Sequence, residues 1–275
     1  MKKWTDIMEI LSLDVVAGAL ASGLMATTLM DVHPGWAWWV CLAIGVWVFY
    51  NGDHLLDGIK GGDKNVSPRH LFPRKHRKQI IISLVSFVIT GVFIAIMFLE
   101  MRMFLFGIAM GIFSLFYLVF VWRKANKKNK TITKEAWIAV IYTVGIWGVP
   151  LLFGEINTPV ALLVFLFMLL VFAEGTIAAY YETAQDKKEN HSSVVLALGK
   201  RKSRLMLHTL FLIIAFTAIA GGLCNQMPLN MAYVIILLMN TLLFAIFSFQ
   251  NFFANGLYHK AGEAVFLLPA GMVLI

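Results

Sequence analysis

The chain is cut into blocks of about 20 consecutive apolar residues, the length at which an α-helix spans the ~30 Å hydrocarbon core of a bilayer. Such blocks cannot stay in water. Lipid offers no partner for a backbone N–H or C=O, so each block must satisfy its own hydrogen bonds as a helix. The blocks fall at residues 10–30, 36–52, 79–99, 103–122, 136–153, 159–181, 205–224, 229–253 and 263–275. They predict an all-α, polytopic membrane helix bundle of about nine transmembrane helices, in one domain over residues 1–275. Composition agrees: 60% of the residues are hydrophobic and 14% charged, whereas a soluble domain is nearer half apolar and a quarter charged. The first block reads as a span rather than a cleaved signal, because Asp14 lies inside it and no small-residue cleavage site leads into a soluble domain. Cys41 and Cys224 are far apart in or beside apolar blocks. They read as packing residues rather than as a disulfide or metal pair.

The basic residues give a direction. If the blocks alternate across the membrane, 22 of the 23 Lys and Arg residues fall on one side and only Arg102 on the other. Cytoplasmic loops are the ones enriched in Lys and Arg. The amino terminus is therefore expected in the cytoplasm, in the inner (cytoplasmic) membrane of a bacterium. The net charge of +8 suits a surface of anionic lipid and calls for no nucleic-acid partner. The loops on the far side are short, and those after the second, fourth and sixth blocks are longer and polar. Loops on a rigid scaffold carry function, so chemistry is expected on the cytoplasmic face.

Two acidic pairs lie at that face. Asp53 and Asp57 end the second block, and Glu182 and Asp186 end the sixth. A spacing of four puts each pair on one side of its helix, where like charges repel. Each pair also sits at a helix C-terminus, where the macrodipole disfavours negative charge. A divalent cation resolves the conflict. Mg2+ takes oxygen ligands and uses one or two carboxylates together with substrate phosphates, and neighbouring Lys and Arg can grip the same phosphates. Solvated helix ends are the plainer reading for one pair alone. Two pairs on the same side, each followed by a basic loop, favour the metal.

With both pairs placed, the chain resembles the UbiA-type intramembrane prenyltransferases. That family carries one aspartate-rich motif after helix 2 and another after helix 6 of a nine-helix bundle. Its first motif reads Asn-Asp-x-x-Asp-x-x-x-Asp, and Asp53 and Asp57 match the last two acids; Phe49 and Tyr50 stand where the family has Asn-Asp. Its second motif is matched by Glu182, Asp186, Lys187 or Lys188, Ser192, Ser193 and the run 194–199, with Glu182 in place of an aspartate. The resemblance implies transfer of an isoprenoid chain from a polyprenyl diphosphate to a small-molecule or lipid acceptor, expected to be aromatic, among membrane lipids. It implies Mg2+ as cofactor, with Asp53, Asp57, Glu182 and Asp186 as metal-holding catalytic residues. Arg69, Arg74, Arg77 and Lys134 become candidate anchors for the diphosphate. Asn51, Tyr50 and Tyr181, beside the acids, become candidates for substrate contact.

Other residues leave alternatives open. Asp14 and Glu174 lie inside apolar blocks, where acids usually face the bundle interior. Glu174 precedes Glu182 by about two helical turns and is a candidate for the acceptor pocket; a structural role is equally consistent. His54, His70, His76 and His191 lack the compact spacing of a zinc site and read as solvated or phosphate-facing. The segment Ser67–Lys78 reads either as an orientation signal or as a lid. Gly107–Gly111 is a spacing that permits close helix contact. Two other functions stand beside the enzyme. A non-catalytic isoprenoid-binding relative is suggested by Phe49 and Tyr50, and a small transporter by Asp14 and Glu174, although no repeated pair of broken helices supports the latter.

Overall fold

A computed structural model describes residues 7–61, 68–124, 133–189, 191–254 and 256–274. Among these residues all regular structure is helical. In chain order the elements are α1 (Leu13–Leu29), α2 (Trp36–Gly61), α3 (Pro68–Lys75), α4 (Arg77–Phe98), α5 (Met101–Lys124), α6 (Thr133–Phe153) and α7 (Thr158–Glu189). There follow α8 (Val194–Leu198), α9 (Lys200–Cys224), α10 (Leu229–Ser248), α11 (Gln250–Phe253), α12 (Leu257–Val265) and a closing 3₁₀ helix (Leu268–Leu274). The fold is an all-α, polytopic membrane helix bundle. Six helices, α4, α5, α6, α7, α9 and α10, are long and apolar enough to cross a bilayer; α1 is a shorter apolar helix of 17 residues.

Helix α7 is the centre of the packing. Leu163, Leu166, Phe167, Leu170, Ala173 and Ile177 recur at spacings of three and four and are buried, so two neighbouring faces meet other helices. It packs against α6, α8, α9, α10 and α12. Trp147 and Ile146 of α6 and Ile236, Met239 and Leu243 of α10 join the same core. By contrast α4 exposes most of its apolar side chains, and α5 about half of those described. On α9, Phe216 and Leu223 are 78% and 82% exposed. In a helix this apolar, such a face is turned to lipid rather than water.

Close approach is made at particular glycines. A Cβ on Gly221 would overlap the ring of Tyr233, and one on Gly148 the ring of Phe106. Tyr233 is anchored, since its hydroxyl donates to the Pro159 carbonyl at 2.7 Å. Gly107 and Gly111 differ: nothing lies within 4 Å of a Cβ at either position. Their spacing allows contact, but in α5 none of the described residues comes near that face.

The end of the chain departs from the sequence expectation. The eighth block is interrupted at Phe249, where φ −93 and ψ 53 end α10. The ninth block was expected over 263–275, but helix starts at Leu257, after Gly256 at φ +86. It stops at Val265, and residues 268–274 continue as 3₁₀ helix. Pro269 accounts for the break, because it lacks an N–H and its ring clashes with the preceding turn of an α-helix. The Ser67–Lys78 segment contains helix α3, which packs on α2.

We expect Gly221→Leu to lower the midpoint of thermal unfolding in detergent, since overpacking a tight contact costs about 1–3 kcal/mol. Gly107→Leu should leave it nearly unchanged. Equal effects of the two would contradict the packing described here.

A candidate active site at the end of the bundle

Helices α2 and α7 are 26 and 32 residues long, or about 39 and 48 Å at 1.5 Å per residue. Both exceed the ~30 Å apolar core of a bilayer. The carboxyl-terminal halves of both helices carry the acids. They meet at a cavity of about 190 Å³.

Each wall follows from helical spacing. From α2 come Tyr50, Asp53, His54 and Asp57, all on one face; from α7 come Glu174, Glu182 and Asp186, two turns and then one turn apart. Helix α6 supplies Lys134, Glu135, Ile138 and Tyr142 from its first turns, and α12 supplies His259 and Glu263. Residues His191, Ser192 and Ser193 close the rim. The structure thus brings both acidic pairs to one cavity.

The first pair is held by Lys134. Its Nζ lies 2.5 Å from Asp57 Oδ2 and 3.2 Å from Asp53 Oδ2. Both acids are buried. The second pair has hydroxyl and imidazole partners. Glu182 Oε1 accepts from the Tyr258 hydroxyl at 3.1 Å and lies 2.9 Å from His259 Nε2. The Ser193 hydroxyl reaches the Asp186 carboxylate, while Ser193 Oγ caps α8 by accepting from Leu196 N. Glu135 Oε1 accepts from Val194 N at 2.9 Å. Its other oxygen, Oε2, is buried with no hydrogen-bond partner among the described residues.

Deeper in, the cavity is aromatic and apolar. Tyr50 and Tyr142 meet edge to face at 6.3 Å, and Phe266 packs on Tyr142 at 6.0 Å. Glu174 and Glu263 lie among them. The space therefore passes from a cluster of charged side chains to an interior of aromatic rings that also holds two carboxylates.

Other sequence candidates lie elsewhere. Asn51 is fully buried, and its Nδ2 donates to the carbonyls of Leu11 and Trp47 at 3.1 and 3.0 Å. It ties the start of the chain to α2 and does not line the cavity. The Tyr181 hydroxyl donates to the Ile246 carbonyl at 2.6 Å, and its ring stacks on Tyr258 at 4.3 Å; it supports the wall from behind. Arg74, on α3, and Arg77, opening α4, are not among the lining residues. The Arg69 side chain lies outside the described residues. Asp14 Oδ1 accepts from Val15 N and does not line the cavity either. Phe49 is buried, 5.5 Å from the ring of Tyr117, so position 49 serves packing.

Sequence reading missed Glu135, Tyr142, His259 and Glu263. Glu135 had a signal in its adjacency to Lys134. His259 and Glu263 repeat the i, i+4 spacing of the acidic pairs, but an apolar block drawn from residue 263 hid it.

Among the described residues, no three His, Cys, Asp or Glu side chains converge into a metal-binding group. The donors are nonetheless of the kind Mg2+ selects: carboxylate oxygens, no thiol, and one buried oxygen of Glu135 without a partner. Because Mg2+ usually takes only one or two protein carboxylates beside phosphate oxygens, the cavity fits an ion that arrives with a phosphate ligand.

No family model and no curated protein matches the sequence. Solved structures do match the fold. A UbiA homologue from Archaeoglobus fulgidus bound to GPP and Mg2+ superposes with a TM-score of 0.70 at 13% identity, covering 98% of this chain and 99% of that one. The A. fulgidus homologue bound to DMAPP and Mg2+ gives 0.67 at 12% identity, over 98% and 99%. The apo UbiA homologue from Aeropyrum pernix K1 gives 0.63 at 14% identity, over 94% and 96%. The agreement runs nearly end to end in both directions, and the protein has the fold of the UbiA homologues.

Proposed function

We propose that the protein is a Mg2+-assisted intramembrane prenyltransferase, one domain that moves an isoprenoid chain from a polyprenyl diphosphate to an acceptor, expected to be aromatic. The observation that carries this reading is the meeting of both acidic pairs at one cavity, charged at the rim and apolar below. The similar structures support it, because two are described as bound to GPP or DMAPP together with Mg2+, and both ligands are prenyl diphosphates.

The division of labour follows from the cavity. When bound through Asp53, Asp57, Glu182 and Asp186, Mg2+ would offset the charge of the diphosphate and assist its departure as a Lewis acid. Lys134 adds a fixed positive charge at the rim. The rings of Tyr50, Tyr142 and Phe266 present faces to the allylic carbon as it gains positive charge. Val15, Ile138 and Val171 keep water from that carbon. Glu174 and Glu263 are placed to take the proton that the acceptor loses. Arg74 and Arg77 have no part in this scheme, since neither lines the cavity.

We expect Asp57→Asn and Asp186→Asn each to weaken Mg2+-dependent binding of an unreactive geranyl thiolodiphosphate by about tenfold or more, as the loss of one charged contact predicts. The folded wild-type protein should bind it. Failure of the folded wild type to bind the analogue would replace the enzyme with a non-catalytic isoprenoid-binding protein or a carrier.

The same reading takes nine spans, a cytoplasmic amino terminus and a cytoplasmic active face. In a variant lacking Cys41 and Cys224, a cysteine at Glu100 should react with a membrane-impermeant maleimide from outside intact bacterial cells, and one at Lys188 should not. The opposite pattern would invert the orientation.

A further inference from the structure

A second charged cluster lies outside the cavity, at the start of α9. Lys200, Arg201, Lys202 and Arg204 open that helix and are all exposed. The positive end of the helix dipole disfavours cations there, and no side chain caps the helix. Two of the four are also gathered together. Arg204 Nη2 donates to the Tyr180 hydroxyl at 3.1 Å, and its guanidinium lies 6.0 Å from the centre of the Tyr180 ring. Lys200 Nζ lies 5.1 Å from the centre of the same ring. Like charges four residues apart on a helix repel. Neither cation forms an ion pair with a carboxylate among the described residues. An orientation signal needs only that cations stay on one side of the membrane; it does not need two of them held over one tyrosine. Tyr180 is buried on α7, and neither it nor the two cations lines the cavity.

The surroundings of the pair are those of a lipid. Further along α9, Leu205, Leu212 and Phe216 are exposed. His208, one turn below Arg204, packs its ring against Phe244 and Phe247 of α10 at 6.1 and 5.5 Å, and Phe244 is exposed as well. The two cations therefore stand at the head of an apolar face along the seam of α9 and α10. We propose that Lys200 and Arg204 bind the phosphate of an anionic phospholipid whose acyl chain lies on Leu212 and Phe244. The Tyr180 hydroxyl holds the Arg204 guanidinium in place, and a guanidinium can give parallel hydrogen bonds to two phosphate oxygens. Lys200 adds a point charge. The first N–H groups of α9, which have no partner within the helix, add donors. The phosphate in turn offsets the repulsion between the two cations and the dipole they oppose. This site and the cavity share no residue, so it stands whether or not the cavity takes a prenyl diphosphate.

The test measures binding of tritium-labelled dioleoyl phosphatidylglycerol to the full chain in neutral detergent, with dioleoyl phosphatidylcholine as the uncharged comparison. The wild type should bind phosphatidylglycerol about tenfold more tightly than phosphatidylcholine, as hydrogen bonds to a charged phosphate predict. Lys200→Gln with Arg204→Gln should abolish that preference. Arg201→Gln with Lys202→Gln removes the same charge from the same end of α9 but leaves the pair over Tyr180, and should keep most of it. Tyr180→Phe, which keeps the ring and frees Arg204, should weaken phosphatidylglycerol binding without changing phosphatidylcholine binding. Equal losses from the two double variants would overturn the proposal in favour of diffuse attraction to the basic surface, and so would a wild type without preference. Displacement of the lipid by inorganic phosphate, or by geranyl thiolodiphosphate, would also overturn it, because the site would then belong to a soluble anion or to a prenyl diphosphate. Should the Lys200 and Arg204 double variant not fold, Arg204→Gln alone takes its place, and the wild-type preference and Tyr180→Phe decide with it.

Discussion

Four carboxylates are brought from two helix ends to one cavity, and the arrangement depends on how their mutual repulsion is balanced. Asp57 and Asp186 lie about one turn before the ends of α2 and α7, and Asp53 and Glu182 about two turns before them, so mutual repulsion outweighs the helix dipole, whose effect fades within the last turn. The balance begins with Lys134, which contacts Asp53 and Asp57 at 3.2 and 2.5 Å. At an effective dielectric of about 20, a unit charge pair near 3 Å has a gross attraction of about 5 kcal/mol. Desolvation takes back a large part of this. What is left still has to outweigh the dipole of α6, which opposes a lysine in its first turn, and the observed geometry says that it does. On α7 the partners are hydroxyls and an imidazole: Tyr258 and His259 contact Glu182, and Ser193 reaches Asp186.

The placement of those charges is a consequence of length. Helices α2 and α7 are longer than the ~30 Å hydrocarbon core of a bilayer, and both carry their acids in the carboxyl-terminal half. Glu174 lies eight residues before Glu182, about 12 Å down the same helix. Between these depths the lining changes from carboxylates to tyrosine and phenylalanine rings. Behind the lining, the fully buried Phe167 packs on both Tyr142 and Phe266. An acid on a shorter helix would have been dragged into lipid or left in water. The charged rim thus adjoins a chamber of tyrosine and phenylalanine rings that also holds Glu174 and Glu263.

Much of this was legible in the sequence, and the reasons are physical. Lipid forces each apolar block into a helix, so the six long apolar helices followed from hydropathy, whereas the short helices α3, α8 and α11 did not. Four-residue spacing fixed which acids share a face, and the cavity contains all four. What the sequence did not reveal was which side chains of other helices turn toward those acids. Arg74 and Arg77 were as plausible as Lys134 by proximity to a basic loop, yet only Lys134 enters the cavity, because α6 begins beside α2. Asn51, next to the first motif, points to Leu11 instead. The last helix was misplaced because Pro269 and Gly256 reset its boundaries inside a stretch whose hydropathy looked continuous. His259 and Glu263 were lost with it. Hydropathy reads the solvent each segment faces; it does not read the rotation of one helix against another.

The charge balance also bears on what can enter. Among the described residues, five carboxylates, Asp53, Asp57, Glu135, Glu182 and Asp186, line the rim region, with Lys134 among them. An anionic headgroup arriving alone would meet net repulsion at close range in a partly desolvated site, where screening by salt is weakest. It can be admitted only with cations of its own. This links metal and phosphate more tightly than either is linked to the protein, and it explains why no three acids need to converge into a preformed metal site. The rim acts on a metal–phosphate pair as a unit, and the chamber beneath acts on what the phosphate carries.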